Sequence, residues 1–415
     1  MTDILSVYYH GSIIGTLSIN KGRRYVFSYM DEWLQREDAI PISISLPLTP
    51  GEFDEDKSMS FFSNLLPEST IRDKLAKKYK LSEDDSYGLL EIIGGECAGA
   101  ISILPGENEF EDSGEYKEIS NDELSDILED ISKRPFLAGE KGVRLSLAGA
   151  QDKIPIYYDE GKFFLPKGNY ASTHIIKTPI RDDYPYSVIN EVFCMKLAKE
   201  LGFLIPEVTI IRNTRNPFYL IERYDRFEND NGKIVRLHQE DFCQALSISP
   251  EQKYEKDGGP SLTRCFKLLD EHSANPAKDK QYLLKWIMFN VLIGNADSHA
   301  KNLSFLYDDG STALSPFYDL LSTKVYPELN ADFSMRIGDK WKVRYLSVHE
   351  WKKLAEKIGV KFSIFPELRK ELLNDLNSKI EKIKRIVCIN KEEEDFIQGI
   401  EDIIQERSRV LLRIK

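Results

Sequence analysis

Cysteine is scarce and scattered. The five cysteines, Cys97, Cys194, Cys243, Cys265 and Cys388, never form a C-x-x-C pair, which argues against a disulfide framework or a cysteine zinc site and fits reduced thiols. The six histidines form no H-E-x-x-H motif or cluster, so no metal is assigned to them. Long apolar runs are missing too: the longest, Tyr282 to Gly294, is interrupted by Lys285 and reads as a buried helix rather than a membrane span. The first residues carry neither a basic n-region nor an apolar h-region, so no secretion signal is expected and the chain should be soluble and cytoplasmic. Positive charge is in deficit, with 56 Lys and Arg against 68 Asp and Glu for a net charge of -12. The chain as a whole therefore has no electrostatic grip on nucleic acid of its own, and DNA would be reached through a local patch or a partner. Neither G-x-x-x-x-G-K-[ST] nor G-x-G-x-x-G occurs, leaving Walker-type and Rossmann readings without support. There is no internal repeat and no low-complexity tract.

What is present is a folded-protein composition, 41% hydrophobic and 30% charged over 415 residues, enough for two or three domains with proper cores. Residues 1–110 read as β-rich, with a hairpin from Leu5–Tyr9 and Ile13–Ile19 across His10-Gly11-Ser12, alternating strands at 25–29 and 42–46, a helical stretch from Phe61 to Lys80 and a strand-like run from Ile92 to Leu104. Residues 111–140 form a linker and a short helix, begun by the capping box Ser120 to Glu123. Strands return over 141–226, broken by one helix that Ser187 caps and Gly202 closes. Residues 227–415 are almost wholly helical, with helices expected at 239–248, 260–272, 278–293, 347–358, 365–387 and 391–412 and a strand-turn-strand insertion at 303–314. A β-rich half followed by a helical lobe points to an α+β, bilobal, nucleotide-binding enzyme.

The most informative stretch is Gly294-Asn295-Ala296-Asp297-Ser298-His299-Ala300-Lys301-Asn302, followed by Pro316-Phe317-Tyr318-Asp319. Protein kinases place an Asp, an Asn five residues later and a second Asp on the next hairpin; the first Asp orients and deprotonates the substrate hydroxyl, and the other two hold metal ions. Asp297, Asn302 and Asp319 reproduce that order, and Asn302 and Asp319 supply the hard oxygen ligands that Mg²⁺ requires. A helix cap with a surface turn explains each element alone but not all three together. Ser146-Leu147-Ala148-Gly149-Ala150-Gln151-Asp152-Lys153 offers unshielded backbone N–H groups and a lysine to phosphate oxygens, although, taken alone, a tight β-turn is its commoner explanation. Lys177 ends the apolar strand His174-Ile175-Ile176, where a phosphate-gripping lysine would sit, and Glu191 on the following helix is its candidate partner; a solvated strand-end lysine is the plain alternative. Glu222, Arg223 and Tyr224 leave the strand Phe218–Glu222 as a hinge whose backbone could hold adenine, with a salt-bridged E-R-x-D-R cluster as the competing reading.

With these elements in order the sequence resembles the HipA family of bacterial serine/threonine kinases, the toxins of HipBA-type toxin–antitoxin modules. Phe61-Phe62-x-Asn64-Leu65-Leu66-Pro67-Glu68 and Gly94-Gly95-x-Cys97-x-Gly99-Ala100 resemble the family's N-terminal subdomain. Ser146 to Lys153, Thr173 to Lys177, Gln239-Glu240-Asp241, Lys253-Tyr254-Glu255-x-Asp257-Gly258-Gly259-Pro260 and Asp297 to Asn302 resemble its kinase core. The resemblance implies a protein-kinase-like fold with a β-rich N-terminal HipA subdomain, a kinase N-lobe over 141–226 and a mostly helical C-lobe over 227–415. It implies ATP and Mg²⁺ as cofactors and Asp297 as catalytic base, with Asn302 and Asp319 on the metal. The implied nucleotide-binding set is Ala148, Gly149, Ala150, Gln151, Asp152, Lys153, Lys177, Glu222, Arg223, Tyr224, His299, Ala300, Lys301, Asn302, Tyr318 and Asp319. It further implies autophosphorylation at Ser146 as an off-switch, an aminoacyl-tRNA synthetase of the glutamyl type as substrate, and a HipB-like DNA-binding antitoxin as partner. Ser298 stands where the family pattern has Gly. A catalytically silent co-repressor acting through an antitoxin, and a small-molecule phosphotransferase, are the other classes the sequence leaves open.

Overall fold

The structure, a computed structural model, describes residues 4–20, 24–106, 113–131, 135–137, 146–149, 151–180, 184–308 and 310–414. In chain order the strands and helices are β1 (Ile4–Tyr9), β2 (Ser12–Ile19), β3 (Tyr25–Tyr29), α1 (Asp31–Leu34), α2 (Glu55–Ser63), α3 (Ser69–Tyr79), α4 (Ser86–Ile93), β4 (Ile101–Pro105), β5 (Gly114–Ile119), α5 (Asn121–Asp130), β6 (Lys153–Asp159), β7 (Lys162–Gly168), β8 (His174–Lys177), α6 (Ser187–Glu200), β9 (Val208–Ile211) and β10 (Phe218–Glu222). They continue with β11 (Arg226–Glu228), β12 (Ile234–Arg236), β13 (His238–Asp241), α7 (Phe242–Ala245), α8 (Leu262–His272), α9 (Pro276–Ile293), β14 (Ser304–Asp308), β15 (Ser311–Leu314), α10 (Val348–Lys357), α11 (Ile364–Leu373), α12 (Leu376–Val387) and α13 (Lys391–Leu411). The fold is mixed α+β. It divides into two compact units: Met1–Thr178 with Ile211–Glu251 and Phe305–Gly310, and Pro179–Ile210 with Gln252–Ser304 and Ser311–Lys415.

The first unit is built on two antiparallel sheets. One has the order β3-β2-β1-β4, and the other includes β5-β7-β6-β8-β10 in that order. The expected hairpin is present, Leu5 facing Leu17 and Tyr9 facing Ser12, and it buries Leu5, Val7, Ile14 and Leu17 completely. Residues 42–46 do not form the expected strand; Ser43 and Leu46 make one isolated bridge. Pro41 and Pro47 remove the donors a strand would need, and the Ser43 hydroxyl and Ile44 N–H are taken by the Glu240 carboxylate. The expected helix from 61 to 80 is two, because Pro67 separates α2 from α3, and the run expected as strand from Ile92 begins instead with the last two residues of α4 and becomes a strand only at β4. At 239–248 a strand precedes the short α7, whose start is fixed by a capping box between Asp241 and Gln244.

Beneath these sheets lies a fully buried ion network. The Glu96 carboxylate accepts from Arg223 and Arg226 at 3.2 Å each and from the Ser172 N–H and hydroxyl at 3.0 and 2.9 Å. Asp225 receives Arg223 through two parallel bonds at 3.0 and 2.9 Å, Arg226 at 2.8 Å and the Gly99 N–H at 2.9 Å. Burial alone would raise the Glu96 carboxyl, but Arg223, Arg226 and Arg236 hold it below its usual range. Gly99 is required here: its φ is +74°, and a Cβ would come within 2.8 Å of the Gln239 nitrogen.

The second unit is mostly helical. At its centre α9 buries Leu283, Leu284, Trp286, Met288, Phe289 and Leu292. Pro276 at its first turn and Gly294 in the left-handed conformation past its end bound it, so it ends where expected and starts two residues before the expected 278. Ser187 is not the cap of α6 but its first residue. Tyr186 stands at the cap with φ +58°, while the Ser187 hydroxyl accepts the Ile180 N–H. The single helix expected at 365–387 is broken into α11 and α12 by Asp375, at φ +53°. No described helix is long and apolar enough to cross a membrane.

Glu240 carries the first testable consequence. It is buried between Ser43, Ile44 and Tyr307 with no basic partner among these donors, and burial raises its pKa from 4.5 to about 7. An unfolded glutamate releases its proton near 4.5, so the folded state binds more protons than the unfolded state between these values. The free energy of unfolding is expected to fall as pH rises from about 4.5 to about 7. Glu240→Gln should flatten that limb in urea titrations at a series of pH values, whereas an unchanged slope contradicts the assignment.

Candidate active site

The loop after α9 is organised by its asparagines. Asn295 donates from its side chain to Asn290 Oδ1 at 2.8 Å and accepts the Asp297 N–H at 2.9 Å. The Asp297 carbonyl in turn receives the His299 N–H at 2.9 Å and the Asn302 side-chain nitrogen at 3.0 Å. Asn302, 6% exposed, thus uses its nitrogen inside the loop, leaving its amide oxygen as the atom suited to a hard cation. The Asp297 carboxylate keeps 44% of its side-chain surface exposed. Its Oδ1 accepts the Tyr254 hydroxyl at 2.6 Å, and the His299 ring meets the Tyr254 ring edge-on at 5.2 Å.

Tyr318 ties the next segment to this loop, its hydroxyl lying 2.8 Å from the Lys301 carbonyl and 2.7 Å from the Ser304 hydroxyl. Asp319 follows at φ +58°, a left-handed conformation that Asp tolerates better than most residues. Lys301 and Ala300 are buried and so belong to the frame of the loop. An Asn oxygen with one carboxylate is a donor set that Mg²⁺ accepts, since this ion usually keeps several waters. Among the described residues no three His, Cys, Asp or Glu gather as a metal cage.

The phosphate-gripping candidates lie in the first unit. Lys153 of β6 stands opposite Lys177 of β8, and the Lys177 ammonium lies 5.7 Å from the centre of the Tyr219 ring. Two lysines directly opposed across a ladder repel each other unless an anion sits between them. Lys153 Nζ donates to the Ala148 carbonyl at 2.6 Å, and Gly149 stands at φ +105°, a backbone conformation that favours glycine. Gln151 donates to the Thr178 carbonyl at 2.9 Å, and the Asp152 carbonyl receives the Thr178 N–H at 3.5 Å. Ala150 lies outside the described residues. Ser146 is fully buried; its hydroxyl donates to the Leu65 carbonyl at 2.8 Å and its N–H to the Glu96 carbonyl at 2.9 Å.

At the end of β10 the three hinge candidates part company. Glu222 is exposed, and Tyr224 gives its hydroxyl to Gln239. Arg223 is turned inward: its guanidinium belongs to the buried network and its N–H donates to the Thr173 carbonyl at 2.9 Å. The salt-bridged alternative for this stretch is therefore present, with Glu96 in place of Glu222 as the acid. Glu191 is buried on α6.

Tyr254 is the residue whose role the sequence left unassigned. Its signal was the glycine pair behind it: a Cβ on Gly259 would come 2.0 Å from the Gln252 carbonyl oxygen, so the loop closes only with glycine there. Glu255 locks the same loop from the other side, accepting the Arg336 N–H at 2.7 Å and its Nε at 2.8 Å.

The chain matches known families and proteins over most of its length. The HipA N-terminal domain family matches residues 5–104 and the HipA-like C-terminal domain family matches residues 145–384. Y4mE of Sinorhizobium fredii, which carries a kinase name, is 38% identical over 389 residues, 92% of either chain. The serine/threonine-protein kinase toxin HipA of Shewanella oneidensis is 31% identical over 373 residues, covering 86% of this chain and 84% of the relative. A chain in the solved complex of HipA, HipB and operator DNA from Shewanella oneidensis superposes with a TM-score of 0.87 at 27% identity, over 99% of this chain and 98% of that one.

The opposed lysines make a direct prediction. Tripolyphosphate is expected to raise the melting temperature of the protein, and Lys177→Met to remove most of that rise; an equal rise in the variant would show that the anion binds elsewhere.

Proposed function

The chain belongs to the HipA family of serine/threonine kinases, and on that premise we propose that it transfers the γ-phosphoryl group of Mg²⁺-ATP to a protein hydroxyl through Asp297. The observation that carries this reading is the exposed Asp297 carboxylate, aimed by Tyr254 and joined through its carbonyl to Asn302. In this reading Asp297 takes the proton of the incoming hydroxyl, and Asn302 and Asp319 hold the metal that neutralises charge on the phosphates. Lys153, Lys177 and the backbone from Ala148 to Gln151 grip those phosphates. With Arg223 committed to the buried network, adenine is met by the backbone of Glu222 and Tyr224. Tyr254 is a positioning residue: it fixes one carboxylate oxygen so that the other is presented to substrate.

Ser146 fits the proposed off-switch. Its hydroxyl is buried and bonded to Leu65, and a dianionic phosphate cannot remain in that place without a cation or solvent to receive it. Phosphorylation at Ser146 would drive the loop out of its seat and take Gly149 and Lys153 away from ATP. A HipB-like antitoxin partner, a cytoplasmic setting and an aminoacyl-tRNA synthetase of the glutamyl type as substrate are proposed from family membership. The solved relative's assembly with HipB and operator DNA supports the first of these.

Incubation with γ-labelled ATP and Mg²⁺ is expected to label the protein at Ser146, and Asp297→Asn to lower the rate by about 10²–10⁴ while ATP still binds. Wild-type protein that binds no ATP and carries no label would reject the proposal. Tyr254→Phe is expected to lower kcat by roughly tenfold, the worth of one hydrogen bond to a charged group, and to leave KM for ATP within about twofold. A change confined to KM would assign Tyr254 to nucleotide binding instead.

A further inference from the structure

Behind the candidate catalytic loop the second unit contains a small cavity of about 10 Å³, lined by Gly294, Asn295 and Ala296 of the loop and by Phe333, Lys324 and Arg407. Two of these residues are cations, and no acidic side chain lines the cavity. Arg407, on α13, is only 5% exposed, and its Nε and Nη1 have no hydrogen-bond partner among the described residues. Burial lowers its pKa, and the opposing influence comes from Glu406, its neighbour on the helix, which points to a different face. Lys324 forms no ion pair among the described residues.

Several acceptors around the cavity are already in use. The Gly294 carbonyl receives both the Lys324 N–H at 3.0 Å and the Thr323 hydroxyl at 3.2 Å. The Asn290 carbonyl receives the Asn295 N–H at 2.9 Å, and the Ala296 carbonyl receives the Ser334 hydroxyl at 2.6 Å. Asn295 Oδ1 is taken by the Asp297 N–H. Among the described residues no acceptor meets the buried Nε and Nη1 of Arg407 and no acidic residue lines the cavity, an arrangement that is costly unless something compensates it.

We propose that this cavity binds a halide-sized monoanion, held by Arg407 and Lys324 against the back of the turn from which Asp297 departs. A space of this size holds one particle near the dimensions of a water molecule, which excludes phosphate and nucleotides. A water molecule could accept from the guanidinium but would leave both positive charges uncompensated; a halide meets the hydrogen-bonding and the charge requirement together. The bound anion draws α13 and residue 324 onto the C-terminal end of α9 and so stiffens the loop that carries the candidate base.

The test needs neither ATP nor Mg²⁺, so its outcome is separate from that of the kinase assay. The full chain is melted in sodium chloride and in sodium gluconate at equal ionic strength. At a chloride concentration roughly ten times Kd the wild-type melting temperature is expected to be about 3 °C higher than in gluconate. Arg407→Met and Lys324→Met should each lose that difference, and ³⁵Cl resonance broadening should appear with wild type and disappear with Arg407→Met. Should a variant fail to fold, wild-type crystals soaked in bromide provide the reading, with an anomalous peak expected within hydrogen-bond distance of the Arg407 guanidinium. Equal melting in both salts, a chloride difference retained by both variants, or bromide crystals with no peak beside Arg407 would each overturn the proposal.

Discussion

Glu96 is the residue on which the first unit turns. Its carboxylate holds Arg223, Arg226 and Ser172, and its backbone carbonyl holds the N–H of Ser146. One side chain and one peptide group thus connect the Gly94–Gly99 turn, the approach to β8, the end of β10 and the segment that begins at Ser146. Two carboxylates among three arginines in a water-free place are worth little as a net attraction, but removing one partner of such a buried pair costs about 3–5 kcal/mol. The network therefore acts as a specification: Lys177, Glu222 and Gly149 sit where they do because the strands and turns beside them are pinned from below.

The second unit solves a different problem, that of presenting a carboxylate without burying it. Amide side chains do the internal bonding: Asn295 and Asn302 satisfy the loop, and Asp297 is left to face outward with one oxygen bonded to Tyr254. Neutral asparagines suit this task because they order the loop without adding charge beside the candidate base or the proposed metal ligands. The left-handed Asp319, held next to the doubly bonded Tyr318, extends the same logic to the second proposed ligand.

Periodicity and capping made much of the fold legible: the first hairpin and α5 with its capping box lie where the sequence places them, and α9 differs from the expected 278–293 only by two residues at its start. Failures occurred where a distant side chain decided the local structure. Alternation at 42–46 looked like a strand, yet Glu240, nearly two hundred residues away, takes its hydrogen bonds. The continuous apolar pattern at 365–387 hid the break at Asp375, which a short polar residue can make at low cost. At the candidate site, the order of Asp297, Asn302 and Asp319 stands out in the sequence because phosphoryl transfer asks for particular residue types as well as spacing. The role of Tyr254 was not, since a hydroxyl meeting a carboxylate across 43 positions leaves no local pattern. The inward turn of Arg223 was hidden for the same reason: its partner, Glu96, lies in a segment that reads by itself as a glycine-rich turn.

The account stands on Asn302 and Asp319 holding the metal while Asp297 stays uncoordinated to receive the substrate proton. A crystal structure with Mg²⁺ and a non-hydrolysable ATP analogue tests this most directly. The expected result is the Asn302 oxygen and the Asp319 carboxylate at about 2.0–2.1 Å from the ion, with Asp297 outside its coordination sphere. Analogue and metal bound without these two side chains, or Asp297 itself ligating the metal, would contradict it.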